Sequence, residues 1–428
     1  MSIIRDITIK AQNYLANSEI MLFVGSRQAG KTTILKQLQA ILEKETRNIY
    51  FLNLEELEYL ELLNQSPKNI FKIFSLDLNQ KNYLFIDEMQ YLKNPSNFLK
   101  YLYDEYQGKI KLLVSGSSAF YLDKKFKDSL AGRKKVFYVF TLSFKEFLRF
   151  KNEDALAQKN FQTLSLKERE KYSFYYQEYI IYGGYPRVVL APLQEKEDLL
   201  REIAFSYIKK DIYEANIRQE EMFYKLFKIL ASQIGNLVNS SELAALLGIS
   251  KTAIDNYLYV MQKSFHLCLL RPFFKNVRKE LSKMPKVYFY DLGLRNFFVR
   301  NFNSFAVRED KGPLLENAVF RQLREKYDEE SLKFWRTIQK NEIDFIADEK
   351  KLLKLRLSQK SLKKKNTNYF LKITQILNYL LFLLILIKKK KRLENIKFLI
   401  FGKFNSAVLL ISRACKPWYG KNCQRVGR

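Results

Sequence analysis

Short apolar runs bounded by polar residues or glycine recur through the first 120 residues of the chain. Residues 20–24, 83–86 and 111–114 form three such runs, and their length and unbroken hydrophobicity are typical of buried parallel strands. The first run leads through a glycine-containing loop into residues 33–38, which have helical spacing. The pattern predicts an α/β fold whose core has three layers, with helices covering a parallel sheet.

The loop after the first run reads GSRQAGKT, a complete phosphate-loop motif between a predicted strand and a predicted helix. Its two glycines allow backbone N–H groups to turn toward a phosphate, and the helix N-terminus adds a favourable dipole. Lys31 is expected to reach the β- and γ-phosphates, and Thr32 to bind Mg²⁺. ATP and Mg²⁺ are therefore the predicted ligands. The predicted nucleotide-binding residues are Gly25, Ser26, Arg27, Gln28, Ala29, Gly30, Lys31, Thr32 and Thr33.

Two acids, Asp87 and Glu88, follow the second apolar run directly. This is a Walker B pattern, the usual partner of a phosphate loop in enzymes that hydrolyse nucleotides. Asp87 is predicted to hold Mg²⁺, directly or through water, and Glu88 to polarise the attacking water as a general base. Together with the loop, these acids predict an ATPase.

Six blocks follow one another along the chain: GSRQAGKTT, LFIDEMQ, VSGSSAF, SLAGR, TLSFKEF and YGGYPR. In this order they resemble a prokaryotic family of AAA-type ATP-binding proteins, over roughly residues 1–350. The resemblance implies an AAA-like P-loop ATPase core, a winged-helix segment and a C-terminal domain related to restriction endonucleases. It further implies that Ser115, or else Ser117, contacts the γ-phosphate or the attacking water. Arg133 would sense or stabilise the γ-phosphate in cis or from a neighbouring subunit, the latter in a homo-oligomer.

Residues 240–258 have the capping and turn residues that are typical of a helix-turn-helix. Ser240 or Ser241 is predicted to cap a short helix, Gly248 to allow a tight turn, and Ser250 to cap a second helix. The residues expected on the outward face of the second helix are Lys251, Thr252, Asp255, Asn256 and Tyr259. Because this set carries little positive charge, two roles stay open: contact with DNA, or service as a rigid spacer or protein-contact module.

The later part of the chain matches a nuclease only in part. Glu316 on a predicted helix and Asp344 in a predicted strand match the first two acids of a PD-(D/E)-x-K metal site. The following strand should end in E-x-K, but residues 351–358 read KLLKLRLS. The EKK at 349–351 falls in the expected hairpin turn. Nuclease activity is therefore not expected of this chain.

Charge changes sharply at residue 351. Residues 351–428 contain 20 Lys and Arg but one acid, so most of the net charge of +29 belongs to this tail. One hypothesis is a frameshift near residue 351, which sequencing of the locus would test. The alternative is a basic tail that binds an anionic surface. The apolar run 376–387 is too short to span a bilayer, so membrane association is not expected.

Length predicts several domains. We expect an ATPase core at 1–150, a helical lid or connector at 151–235 and a winged-helix module at 236–300. An incomplete nuclease-like α/β piece at 301–350 and the anomalous basic tail at 351–428 follow. Three cysteines and no apolar leader predict a cytoplasmic protein without disulfides, and one histidine, His266, beside Cys268 is expected to pack rather than to bind zinc.

Three functions are consistent with this sequence. The first is a switch or motor ATPase that acts on an unknown partner. The second is a nuclease controlled by ATP, and the third is a DNA-binding regulator that uses nucleotide as a structural ligand only. The paired Walker motifs favour the first function.

Overall fold

The computed structural model describes residues 3–46, 48–116, 130–274, 276–337, 342–348, 351–357 and 407–410. Its amino-terminal part is built on a sheet of five parallel strands in the order β2-β3-β4-β1-β5. The strands are β1 Ile20–Gly25, β2 Ile49–Asn53, β3 Asn82–Asp87, β4 Ile110–Gly116 and β5 Lys134–Val139. Three of these strands confirm the three apolar runs of the sequence, and the α/β fold class is confirmed.

Helices cover both faces of this sheet. Among the described residues of this part, the helices are α1 Asp6–Gln12, α2 Lys31–Leu42, α3 Leu57–Gln65, α4 Ile70–Ile73 and α5 Pro95–Glu105. Because side chains alternate along a strand, Phe23 of β1 joins Leu35 of α2 in one apolar cluster, whereas Leu22 joins Leu99 of α5 in another. The three-layer prediction is therefore correct.

The chain from 144 to 232 is mainly helical. Its helices are α6 Phe144–Phe150, α7 Asp154–Gln158, α8 Leu166–Tyr182, α9 Pro186–Leu190, α10 Lys196–Glu202, α11 Ile208–Glu214 and α12 Glu220–Ser232. Short 3-10 turns lie at Pro67–Asn69, Met89–Tyr91, Phe161–Thr163 and Leu193–Glu195, and a π-helical turn at Ile203–Tyr207 joins α10 to α11. None of the described helices combines the length and hydrophobicity that crossing a membrane requires.

Two further helices and a hairpin follow α12. They are α13 Ser240–Leu247, α14 Lys251–Lys263, and the antiparallel strands β6 Leu267–Leu270 and β7 Lys286–Phe289. The helix cap differs from the prediction: Asn239 caps α13 by accepting hydrogen bonds from the N–H groups of the second and third helical residues. An amide side chain at this position competes well with a serine hydroxyl as a helix cap.

The other predicted features of this pair of helices are present. Gly248 has φ +66° in the turn, and the Ser250 hydroxyl accepts a hydrogen bond from the N–H of Ala253. The outward residues predicted for α14 are all exposed. α12, which precedes residue 236, shares the same core, since the rings of Phe223 and Tyr257 lie 5.5 Å apart.

The described residues of the C-terminal part form three helices and an antiparallel sheet. The helices are α15 Val277–Ser282, α16 Leu292–Phe298 and α17 Lys311–Arg324, and the strands are β8 Leu332–Arg336, β9 Glu342–Ala347, β10 Lys351–Leu357 and β11 Ala407–Leu410. The sheet order is β11-β10-β9-β8. A strand thus follows β9 where the nuclease pattern requires one, although its sequence lacks E-x-K.

Candidate nucleotide-binding site

The phosphate loop lies at the carboxyl end of β1, and α2 begins at Lys31. The backbone requires glycine at both glycine positions of the motif. Gly30 has φ +93°, a conformation that residues with a Cβ avoid. A Cβ on Gly25 would lie 1.9 Å from the carbonyl oxygen of Val139, so glycine alone allows the close approach of β5.

Lys31 is buried within this loop. Its ammonium group donates hydrogen bonds to the carbonyl oxygens of Gly25, at 3.1 Å, and Ser26, at 2.9 Å. Burial lowers the pKa of Lys31, while the nearby carboxylates of Glu88 and Asp87 oppose this shift. The two Walker acids therefore lie close enough to the lysine to act on it electrostatically.

Asp87, Glu88 and Ser115 form a second group at the ends of β3 and β4. The Ser115 hydroxyl donates a hydrogen bond to a carboxylate oxygen of Asp87 and accepts one from the N–H of Glu88 at 3.2 Å. Glu88 has φ +57°, a left-handed conformation that is uncommon for a non-glycine residue. Its carboxylate accepts a hydrogen bond from the amide of Gln90. Ser115 thus positions both acids, and its own hydrogen is directed at Asp87.

The carboxyl ends of β1, β3 and β4 share one edge of the sheet because neighbouring strands are parallel. The oxygen donors available there are the half-buried Thr32 and the buried carboxylate of Asp87. Hard oxygen ligands of this kind fit Mg²⁺. The structure therefore offers a chemically suitable set of ligands at the predicted place.

Arg133 lies at the amino-terminal ends of the parallel strands, opposite the carboxyl ends that carry the phosphate loop. It directly precedes β5, and its carbonyl accepts a hydrogen bond from the N–H of Ile20, the first residue of β1. A six-residue strand is about 20 Å long, so Arg133 lies about that far from the phosphate loop of its own chain. It forms an exposed ion pair with Asp104, at 2.7 Å. This placement is incompatible with the cis role, and the trans role stays a prediction. Ser117 lies outside the described residues.

Arg5, which no sequence motif singled out, binds the backbone of the loop. Its guanidinium donates to the carbonyl oxygen of Ala29 at 2.8 Å and pairs with Glu146 at 2.7 Å. Burial alone would raise the pKa of Glu146, but Arg5 and backbone donors lower it. Glu146 also forms a capping box with Ser143 at the start of α6. One buried ion pair therefore joins the loop to a helix cap.

The YGGYPR block also contacts this loop. Tyr185 is buried, and this burial raises the pKa of its hydroxyl, a shift that the nearby side chain of Ser26 opposes. A Cβ on Gly30 would lie 3.9 Å from the ring of Pro186. The block resembles a family motif in the sequence, but only the structure shows which surface it contacts.

The side chain of Arg27 contacts α11. Its Nε lies 3.3 Å from Asp211 Oδ1, and another of its nitrogens pairs with Glu214. Asp211 Oδ2 is in turn 2.9 Å from Nε2 of His266. His266 therefore forms a buried hydrogen bond in addition to its packing contacts. No local sequence pattern indicated its partner, Asp211.

A separate acidic cluster lies between β7, α17 and β9. Oxygens of Glu316, Glu342 and Asp344 lie within 4.8 Å of one another. Among the described residues, this is the group of three acidic side chains that could hold a metal ion. However, the buried ammonium of Lys286 lies 3.1 Å from Glu316 and also pairs with Glu342. Tyr288 donates a hydrogen bond to Glu316 at 2.6 Å. A lysine of β7 therefore pairs with Glu316, one of the two acids that the nuclease pattern assigns to a metal, and with the neighbouring Glu342.

Three family models match successive parts of the chain. Residues 17–148 match a model described as an AAA domain. Residues 173–304 match a domain of unknown function, DUF8612, and residues 311–398 match another, DUF4143. The second match spans both the helical segment and the hairpin unit, and the third extends beyond residue 351. The chain thus has an AAA-family domain of the nucleotide-binding ATPase type, followed by two domains of unassigned role.

The chain also matches individual relatives over most of their length. It is 30% identical over 351 residues to the uncharacterized protein MJ1544 of Methanocaldococcus jannaschii, covering 80% of this chain and 74% of that protein. An uncharacterized protein of Haemophilus influenzae is 28% identical over 340 residues, with 77% and 79% coverage. A variant of RuvB from Thermotoga maritima aligns with a TM-score of 0.33 and 17% identity over 65% of this chain and 94% of that one, too slight a likeness to bear on function. The chain belongs to the protein family of MJ1544.

Proposed function

We propose that the AAA-type domain binds ATP with Mg²⁺ and hydrolyses it. Binding and hydrolysis change the arrangement of the C-terminal modules, and this change acts on a partner of the protein. The observation that carries this proposal is the joint positioning of Asp87 and Glu88 by Ser115 at the edge where the phosphate loop lies. A loop that only binds nucleotide needs no such arrangement of two acids. Hydrolysis requires both a metal ligand and a group that orients water.

Each residue has one task in this proposal. Backbone N–H groups of the loop and the ammonium of Lys31 bind the phosphates. Thr32 and Asp87 hold Mg²⁺, which would neutralise phosphate charge when bound. Glu88 orients the attacking water and accepts its proton. The side chain of Gln90 fixes the Glu88 carboxylate until substrate reaches it.

The proposal is tested by measuring ATP binding and turnover for the wild type, Lys31→Ala and Thr32→Ala, with Mg²⁺ and with a chelator. Lys31→Ala is expected to lose binding, and Thr32→Ala to lose the dependence of affinity on Mg²⁺. Adding double-stranded DNA to each reaction shows whether a nucleic acid stimulates turnover. Wild-type protein that binds no ATP at millimolar concentration would contradict the proposal.

Contact with nucleic acid is a second candidate function, and the connection between β6 and β7 favours it. Residues 271–285 contain five Lys and Arg against one acid. Arg271, Arg278 and Lys283 are exposed, while the acid, Glu280, pairs with Lys333. Exposed lysines and arginines on one connection suit phosphate backbone, the main source of non-specific affinity. This segment compensates for the weakly charged face of α14.

Salt dependence distinguishes this function from a spacer role. Affinity for double-stranded DNA is measured from low to physiological salt for the wild type and Arg278→Ala/Lys283→Ala. Each lost phosphate contact reduces the salt slope by about one, so a reduction of about two is expected. Lys228→Ala, an exposed lysine on α12, is the matched control. Equal slopes for all three proteins would exclude this segment as the contact.

A further inference from the structure

The third residue of the phosphate loop is bound by a different part of the chain. Arg27 is only 8% exposed, and its guanidinium pairs with Asp211 and Glu214. These acids are three residues apart on α11 and therefore lie on one face of the helix. The loop that is proposed to receive phosphate is thus fastened to α11 through a buried group of ion pairs.

Asp211 extends this connection into the next structural unit. One of its oxygens faces Arg27, and the other lies 2.9 Å from Nε2 of His266. His266 is buried, stands edge-on to Phe227 of α12 with ring centroids 5.5 Å apart, and directly precedes β6. A displacement of Asp211 would therefore alter the packing of both α12 and the β6–β7 hairpin.

The charges around Arg27 suit an exchange of partners. A planar guanidinium binds carboxylates and phosphates with the same bidentate geometry. Burial alone would lower the pKa of Arg27, but Asp211, Glu214 and Glu88 raise it, so the group stays charged. Conversely, burial raises the pKa of Glu214 and Arg27 opposes that shift. While Arg27 is paired with these acids, they compensate the charge that it could offer to a phosphate.

We propose that Arg27 is a nucleotide-responsive latch, which exchanges Asp211 and Glu214 for the phosphates of bound nucleotide. Nucleotide binding then releases α11 from the loop and, through Asp211 and His266, changes the position of the hairpin. A ligand shifts such an equilibrium only by its differential affinity for the two states. The guanidinium, once released from the acids, supplies this difference. The latch rests on the proposed nucleotide binding and gives it a route to the C-terminal modules.

The test compares Mg²⁺–ATP affinity in four proteins: wild type, Asp211→Asn/Glu214→Gln, Arg27→Gln, and the variant that combines all three substitutions. Removing the competing carboxylates is expected to tighten binding about tenfold, within the usual range for coupled sites. Arg27→Gln is expected to bind more weakly than the wild type. In the combined variant the gain from the acid substitutions should disappear, because the acids act only through Arg27.

Hydrogen exchange provides the conformational readout. ATP should accelerate exchange of the amides at 208–214 in the wild type but not in Arg27→Gln. Asp198→Asn, which removes an exposed ion pair with Arg201 on the neighbouring α10, is the control and should leave affinity unchanged. If Arg27→Gln does not fold, as judged by circular dichroism, the affinity of Asp211→Asn/Glu214→Gln decides alone.

Three outcomes would overturn the latch. Wild type that binds ATP while the acid variant binds equally or more weakly overturns the latch and leaves the proposed ATP site intact. A tenfold gain that persists in the combined variant does the same, since the acids would then act without Arg27. Wild type that binds no ATP overturns the proposed function and the latch together.

Discussion

The hydroxyl of Ser115 donates a hydrogen bond to the carboxylate of Asp87 across neighbouring parallel strands. The same oxygen accepts the N–H of Glu88 at 3.2 Å. A single buried hydroxyl therefore fixes the proposed metal ligand and the backbone of the proposed base. This relationship makes the end of β4 part of the site even without contact to nucleotide.

Ser115→Ala is expected to lower ATP turnover about tenfold or more, because groups that orient a metal ligand typically contribute about 10- to 100-fold. ATP affinity in the absence of Mg²⁺ should change little, since the phosphate loop is untouched. The measurement is steady-state turnover together with affinity, with and without Mg²⁺. Ser173→Ala, a buried serine on α8, is the control. Equal loss in both variants would show a general packing effect instead.

Arg5→Met is expected to reduce both stability and ATP affinity. It leaves the buried carboxylate of Glu146 without its cation, a change that costs about 3–5 kcal/mol in typical buried pairs, and frees the carbonyl of Ala29 in the phosphate loop. Urea unfolding and nucleotide titration measure the two effects. Arg149→Met removes a pair with the exposed Asp6 and should cost much less. Full ATP affinity in folded Arg5→Met would refute a role in shaping the loop.

The pH dependence of stability should report on Asp310. Burial alone would raise its pKa, but Arg308 and Arg295 lower the pKa from the ordinary 3.8 to about 2. A carboxylate with a lowered pKa stabilises the fold above its unfolded pKa, and this contribution is lost as pH falls toward about 2. Asp310→Asn should therefore lose stability at neutral pH and show a shallower decline between about pH 4 and 2.

The measurement for Asp310 is urea unfolding at neutral pH and at several values across that acidic range. Glu309→Gln, the exposed neighbour, should follow the wild-type profile. An Asp310→Asn profile parallel to the wild type throughout this range would mean that the two arginines do not depress the carboxyl pKa.

Lys286→Ala should destabilise the protein and allow the second acidic cluster to bind a metal ion. Removing this buried cation leaves Glu316 without its counter-ion and Glu342 with only Arg336, at 3.5 Å, so the protein should be destabilised by about 3–5 kcal/mol. Because a cation would then be missing among three carboxylates, Mn²⁺ should raise the melting temperature of the variant and not that of the wild type. Lys283→Ala, an exposed lysine nearby in sequence, is the control. A wild type stabilised by Mn²⁺ that loses this effect in Asp344→Ala would indicate a metal site instead.

Local motifs made the centre of the site predictable. The phosphate loop and Asp87-Glu88 are short continuous patterns, so the strand, loop and helix that contain them follow from the sequence. Arg5 and Arg27 depend instead on partners 141 and 184 residues away. No spacing rule links segments so distant, because their meeting depends on how the helical part packs on the sheet.

Arg133 and Lys286 show how topology changes the meaning of a residue. Arg133 ends a block of the expected family order, yet it directly precedes a strand parallel to β1 and so lies at the end of the strands far from the loop. Lys286 precedes Glu316 by 30 residues, but β7 brings it into the acidic cluster. Both results depend on strand direction, which composition and periodicity do not determine.

The most direct test of ATP hydrolysis at this site is phosphate release from ATP by the wild type and Glu88→Gln in the presence of Mg²⁺. We predict measurable turnover by the wild type, with or without DNA, and about a hundredfold less or lower still by Glu88→Gln, the contribution of a general base. Both proteins should bind ATP with similar affinity. Wild-type protein that binds ATP but releases no more phosphate than Glu88→Gln would contradict hydrolysis by Glu88 and its neighbours.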